Sequence, residues 1–196
     1  MKTRLLMSSV ALAVVMTAGS ALADKANDTL NAAFTKELES VDSYFNSARE
    51  GVILQRSIWD GLLYLNQETG EYEGNLATSW TWVDDTTLEL KLREGVKFHN
   101  GEEFDADDVV YTVEFVAKPE NGVVVQRNVN WMKGAEKVDK YTVRIFTNGP
   151  FPAALEYLAG PVSIYPNEYY AEAGPAGMAL KPVGTGPYQV ESVEPG

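Results

Sequence analysis

Five carboxylates crowd into the seven positions 102–108: Glu102, Glu103, Asp105, Asp107 and Asp108. His99, the one histidine of the chain, stands three residues before them. Such a grouping can bind a metal, move protons, or do no chemistry and simply start a helix. Transition-metal sites draw two or more imidazoles or thiolates, and this chain has one imidazole and no cysteine. A calcium loop needs acids at alternating positions closed by a bidentate Glu; "DADDVVYTVE" has no such ladder. Carboxylate catalysis needs two acids held across a cleft, their pKa values pushed apart by burial. Neighbours in one exposed turn all face water, so ordinary ionisation is expected of all five. No G-x-S-x-G or H-E-x-x-H motif occurs.

The structural reading accounts for more residues. Asn100-Gly101 is a turn dipeptide that closes a strand carrying Val96 and Phe98. Asp105 stands where an N-cap belongs, and Asp107 and Asp108 fall in a first turn, where the helix dipole favours negative charge. Asp108 is spaced to reach back as the second half of a capping box. Val109, Thr112, Val113 and Val116 then form a helical stripe. On this reading the cluster is structural: no catalytic residue, metal ligand or cofactor is assigned.

The elements around it alternate between strand and helix patterns, which points to α/β architecture. "TLNAAF", residues 29–34, reads as a first strand, and the polar "TKELESVDSYFN" as its exit. From Ser47 through Leu65 a helix is expected, with Ile53, Ser57, Ile58 and Leu62 near helical spacing. "TSWTWV" and "TTLELKL" read as a hairpin, and "KYTVRIFT" as a second alternating strand. "FPAALEYLAG" and "YPNEYYAEAG" read as short helices, and "PYQVESV" as the start of a strand. Trp59, Trp80 and Trp82 are assigned to the core. Ligands of α/β sheets bind beyond the carboxyl ends of strands, so Glu37, Leu38, Tyr44 and Asn46 are the first binding candidates. The long loop "NGVVVQRNVNWMKG" supplies Asn130 and Trp131. Gly184-Thr185-Gly186 lacks the lysine of a phosphate loop and reads as a rigid bend.

The first residues address the compartment. Lys2 and Arg4 precede an uncharged apolar run that closes on Ala21-Leu22-Ala23. That is the pattern of a cleavable secretory leader over residues 1–23, too short and too interrupted to span a bilayer. The formal charge is −12, and loss of Lys2 and Arg4 leaves the remainder more acidic still. Nucleic acid and anionic lipid surfaces are therefore poor partners. Absence of cysteine excludes disulfides, cysteine nucleophiles and lipid attachment at the export site.

"LREGVKFHNGEEFDADDVVYTVE" resembles the signature of the periplasmic solute-binding proteins of ABC importers, in the peptide/nickel class (family 5). "IWDGLLYL", "LATSWTWVDDTTLELKLREG" and "PVGTGPY" match further blocks in order. Two positions depart from the pattern: Asp42-Ser43 stands for Asp-Pro, and Gly74-Asn75 replaces a proline. The resemblance implies a type II periplasmic binding protein-like fold, a mixed sheet with flanking helices. Residues 24–196 would form the N-terminal part of lobe I, with the second lobe and the C-terminal return missing. It also implies a monomeric binding protein that is not an enzyme, a peptide or small-molecule ligand, and a membrane ABC permease as partner. The expected place is the periplasm. A secreted carboxylate-dependent hydrolase and a sensory module without transport are the alternatives.

Overall fold

The alternating leucines of "TLELKL" and the Val-Ile alternation of "TVRIFT" become the two central strands of one sheet. The computed structural model describes residues 23–24, 29–30, 32–35 and 37–194. The chain divides into two units, residues 1–35 and 36–196. In the first, β1 (Ala23–Asp24) pairs antiparallel with β2 (Thr29–Leu30). Of the strand expected over residues 29–34, the described part is Thr29–Leu30. Residues 32–34 are exposed and irregular; an apolar run without a neighbouring edge to bond makes no strand. Apart from Ala23, the expected leader lies outside the described residues.

The second unit holds the other elements. A 3-10 turn, Ser43–Phe45, leads to α1 (Arg49–Ile58). A small hairpin follows, β3 (Leu63–Leu65) with β4 (Tyr72–Gly74). Then come β5 (Ala77–Asp84), β6 (Thr87–Leu92) and α2 (Ala106–Ala117). The hairpin β7 (Met132–Asp139) and β8 (Thr142–Thr147) precedes α3 (Ala154–Leu158) and α4 (Asn167–Leu180).

Strand order in the main sheet is β5-β6-β8-β7. The α/β architecture is as expected, but every ladder among the described residues is antiparallel. Hairpins join most of these strands, and α2 fills the one long connection, from β6 to β7. Register puts Leu88 opposite Ile145 and Leu90 opposite Val143, on the face that α2 covers. Glu89 and Glu136 both stand opposite Arg144 on the other face, its guanidinium 2.9 Å and 3.4 Å from their carboxylates. Val109, Val113 and Val116 of α2 are wholly buried over the sheet, each contributing about 1.5–3 kcal/mol of apolar burial. The capping box is present: Asp105 accepts from the Asp107 amide (2.7 Å), and Asp108 accepts from the Asp105 amide (2.8 Å). The helix stops before Pro119, whose ring disfavours helical geometry in the residue ahead.

Several expectations change. α1 ends at Ile58, not Leu65, because residues 63–65 are taken into a ladder. Its core face carries Gln55 and Ile58, while Val52 and Ile53 are about half exposed (48% and 45%); the apolar stripe read there is rotated. β7 begins inside the stretch read as a loop, at Met132. Trp59 is buried, whereas Trp80 and Trp82 are half-buried on β5. α4 is longer than expected and broken at Gly174, whose φ of 61° sits just before Pro175. Residues 188–194 form no strand.

Candidate functional site

His99 is consumed by the backbone of the "GTG" stretch. Its amide donates to the Gly184 carbonyl (2.9 Å), the Gly184 amide donates to Nδ1 (3.3 Å), and Nε2 bonds the Gly186 carbonyl (2.8 Å). This pattern requires a bare Nδ1 and a proton on Nε2, the neutral tautomer. Neither ring nitrogen is left for a metal or a substrate proton. The glycines are needed for closeness: a Cβ on Gly184 would lie 2.1 Å from the Ile58 carbonyl oxygen. The Gly186 and Tyr188 amides bond the Ile58 and Ser57 carbonyls, and the Trp59 indole donates to Val183 (2.8 Å). "IWDG", "KFHNG" and "PVGTGPY" are thus one clip, and the rigid bend read at residues 182–188 belongs to it.

The acids are similarly committed. Glu103 meets Lys140 (3.1 Å) and the Tyr141 hydroxyl (2.5 Å), and Asp107 meets Lys137 (2.6 Å). Ordinary ionisation, expected of all five, fails at Asp108. That side chain is buried, and burial pushes its carboxyl up to about 7, with the Asp105 and Glu102 charges adding to the effect. Amides of Asp105 and Asn167 donate to its oxygens and oppose the shift. Burial also raises Glu102, whereas the Tyr141 hydroxyl and then Lys140 lower Glu103. A raised buried acid is a familiar mark of catalysis, but here both oxygens already serve backbone amides. Among the described residues no group of three or more His, Cys, Asp or Glu could hold a metal ion.

Asp42 is a second buried carboxylate, which the sequence pattern does not flag. Oδ1 accepts from the Tyr165 hydroxyl (2.8 Å) and the Tyr44 amide (3.0 Å), and Oδ2 from the Tyr170 hydroxyl (2.7 Å). Tyr165 in turn accepts from the Ser43 amide (3.0 Å), and the Tyr44 hydroxyl donates to the Ser163 carbonyl (2.5 Å). Burial raises the Asp42 pKa and the Tyr170 hydroxyl chiefly opposes it. This knot fixes the turn from which Ser43 and Asn46 reach a surface groove.

That groove, about 200 Å³, runs between the turn, α1, the loop before β7 and the residues after α3. Ser43, Asn46, Val52, Gln55, Arg56, Val125, Arg127, Asn128 and Pro161 line it. Two amides hold its floor. Asn46 donates to the Ser40 carbonyl (2.5 Å) and accepts from the Ala48 amide (2.7 Å). Gln55 donates to the Pro161 carbonyl and to Ser163 Oγ, both at 2.9 Å.

Of the six binding candidates, Asn46 lines this groove. Tyr44 is buried beneath it. Glu37 and Leu38 line a separate groove with Ala179, Leu180 and Val193. Asn130 is exposed. Trp131 is 5% exposed, stacked on Phe151 at 5.0 Å, with its indole N–H on the Asn128 carbonyl (2.9 Å); it braces the groove loop from behind. Arg56 and Arg127 were not among the candidates. The available signal was Val52, Gln55 and Arg56 at i, i+3 and i+4, one face of a helix.

Comparison with known proteins follows from these features. The model of the bacterial extracellular solute-binding proteins, family 5 Middle, matches residues 71–196. Glutathione-binding protein GsiB of Shigella dysenteriae serotype 1 is 29% identical over 184 residues, 93% of this chain and 36% of its own length. The PBP/SBP MoaA from A. tumefacien R10, solved in complex with mannopinic acid, aligns at a TM-score of 0.73 and 28% identity, over 81% of this chain and 33% of its own. DppA from Helicobacter pylori, in complex with the peptide STSA, gives 0.70 and 28%, over 81% and 35%. The chain therefore spans about a third of the length of these relatives. With the family model matched from β4's approach to Gly196 and the fold shared, this chain belongs to the family 5 bacterial extracellular solute-binding proteins.

Proposed function

We propose that this chain is part of the substrate-binding component of an ABC import system. It captures a peptide or similar small solute outside the cytoplasm and hands it to a membrane permease. The observation that carries this is the groove beside α1, open and braced by tied amides, in a chain of the solute-binding family. The names of the relatives point the same way: one binds glutathione, one was solved with mannopinic acid and one with a peptide. Residues 24–196 are read as the N-terminal part of the first lobe, 1–23 as a cleaved leader, and the protein as a periplasmic monomer.

Binding without turnover is the accompanying reading. Four of the five acids at 102–108, Glu103, Asp105, Asp107 and Asp108, are spent on a helix cap, two lysines and backbone amides. The ligand-facing residues proposed are Asn46 in this groove, Asn130 on the exposed loop, and Glu37 and Leu38 in the separate groove that they line, while Tyr44 and Trp131 support from below. Native mass spectrometry of the protein taken from its own host tests the reading, paired with calorimetry against glutathione and short peptides. A small molecule that is carried or bound saturably, and recovered unchanged, is the expected result. No bound solute in either assay, or a cleaved product, would overturn it.

A further inference from the structure

We propose that the captured solute carries a carboxylate, gripped between Arg56 and Arg127, and that this pair selects against neutral and cationic analogues. The inference rests on the solute-capture reading and names the ligand's chemical class.

Charge distribution is the first argument. The chain has 28 Asp and Glu against 16 Lys and Arg, yet no acidic residue lines the groove while two arginines do. Elsewhere four cations meet carboxylates: Lys118 with Glu114, Lys137 with Asp107, Lys140 with Glu103, and Arg144 with Glu89 and Glu136. The guanidinium groups of Arg56 and Arg127 have no ion pair or hydrogen bond among the described residues. Two like charges brought to one groove repel unless an anion lies between them.

Geometry supplies the second. A guanidinium presents paired N–H donors in a planar fork that matches the two oxygens of a carboxylate. Arg56 sits on α1, and Arg127 in a short 3-10 turn, Gln126–Asn128, that Trp131 pins through the Asn128 carbonyl. Both arginines thus start from rigid backbone, which lowers the ordering cost of binding. The Asn128 side chain has no hydrogen-bond partner among the described residues and adds amide donors beside them. Val52 and Val125 offer apolar contact to the rest of a small ligand.

The test is a titration of the whole protein followed by the Nε–H signals of its arginines in NMR spectra. The probes are succinate, the dipeptide Ala-Ala, its C-terminal amide, and inorganic phosphate. Succinate and Ala-Ala are expected to move Arg56 and Arg127 together and saturably while Arg49 and Arg93 stay put. The amide should leave all four unmoved. R56Q, its fold checked by circular dichroism, should weaken the response of Arg127 about tenfold or more. Equal movement of Arg49, equal response to the amide, or saturation by phosphate but not succinate would each overturn the proposal. A protein that binds a solute by calorimetry with both arginine signals still keeps the capture reading and loses this one. A pair that answers succinate in a protein that captures no solute does the reverse.

Discussion

The core under α2 and the core around Asp42 are equally closed to water and differently built. Under α2, Leu88, Leu90, Val143 and Ile145 of the sheet meet Val109, Val113 and Val116 of the helix, with apolar contacts throughout. Around Asp42, one carboxylate collects two tyrosine hydroxyls and an amide, and Tyr44, Tyr165 and Tyr170 pack edge-on and tilted about it with ring centroids near 5 Å. The first core sums many small dispersion terms, none indispensable. The second concentrates its stability in a few bonds whose loss strands buried polar groups. Tolerance to substitution should therefore differ between them, even where burial does not.

The largest effect expected is for Asp42→Ala, which strands the Tyr170 hydroxyl and the Tyr44 amide and leaves the Tyr165 hydroxyl only Ser43. Urea unfolding should show a loss of about 3–5 kcal/mol. Leu90→Met, a volume-conserving change in the apolar core, should cost less than about 1.5 kcal/mol by the same measurement. Equal losses would erase the contrast.

Proton linkage sharpens the comparison next. A carboxylate raised above its ordinary 3.8 to about 7 binds its proton more tightly folded than unfolded. Asp108 thus favours folding as pH falls from 7 toward 4, and that contribution is lost as pH rises through 7. Between ~pH 8 and ~pH 5 the wild type should gain about 2–3 kcal/mol that Asp108→Asn does not gain. Parallel pH profiles for the two proteins would falsify the assignment. The smallest effect belongs to Asp105→Ala, which removes a half-exposed cap outside both cores and should cost about 1 kcal/mol. A loss matching that of Asp42→Ala would mean that the cap is wired into the interior.

What the sequence made legible divides along the same line. The β5–β6 hairpin, β8, and the cap and stripe of α2 are local periodic signals, readable because a sheet face repeats every two residues and a helix face every three or four. α1 was misread because its core face carries Gln55, whose amide is buried on Pro161 and Ser163; a polar letter hid a buried position. The tyrosine bonds of the Asp42 knot have no local signature, since Tyr165 and Tyr170 lie more than a hundred residues along the chain. His99 reads from the sequence as part of a structural turn, but not as the clasp on Gly184 and Gly186. The groove was half legible: Asn46 was singled out, while Arg56 and Arg127 come from α1 and the turn before β7, and only the fold brings them to one surface.

The reach of the Asp42 bonds also sets an order in time. Tyr165 and Tyr170 lie 123 and 128 residues beyond Asp42, whereas the four strands of the sheet are all contained between Ala77 and Thr147. During synthesis, at roughly 5–20 residues per second, the sheet's last strand precedes Tyr165 by about one to a few seconds. In that interval the apolar core has all its parts, and Asp42 is still a hydrated anion awaiting its hydroxyls. A chain cut short before Tyr165 would hold all four strands of the sheet and an unclosed knot, offering a protease the turn that leads into the groove.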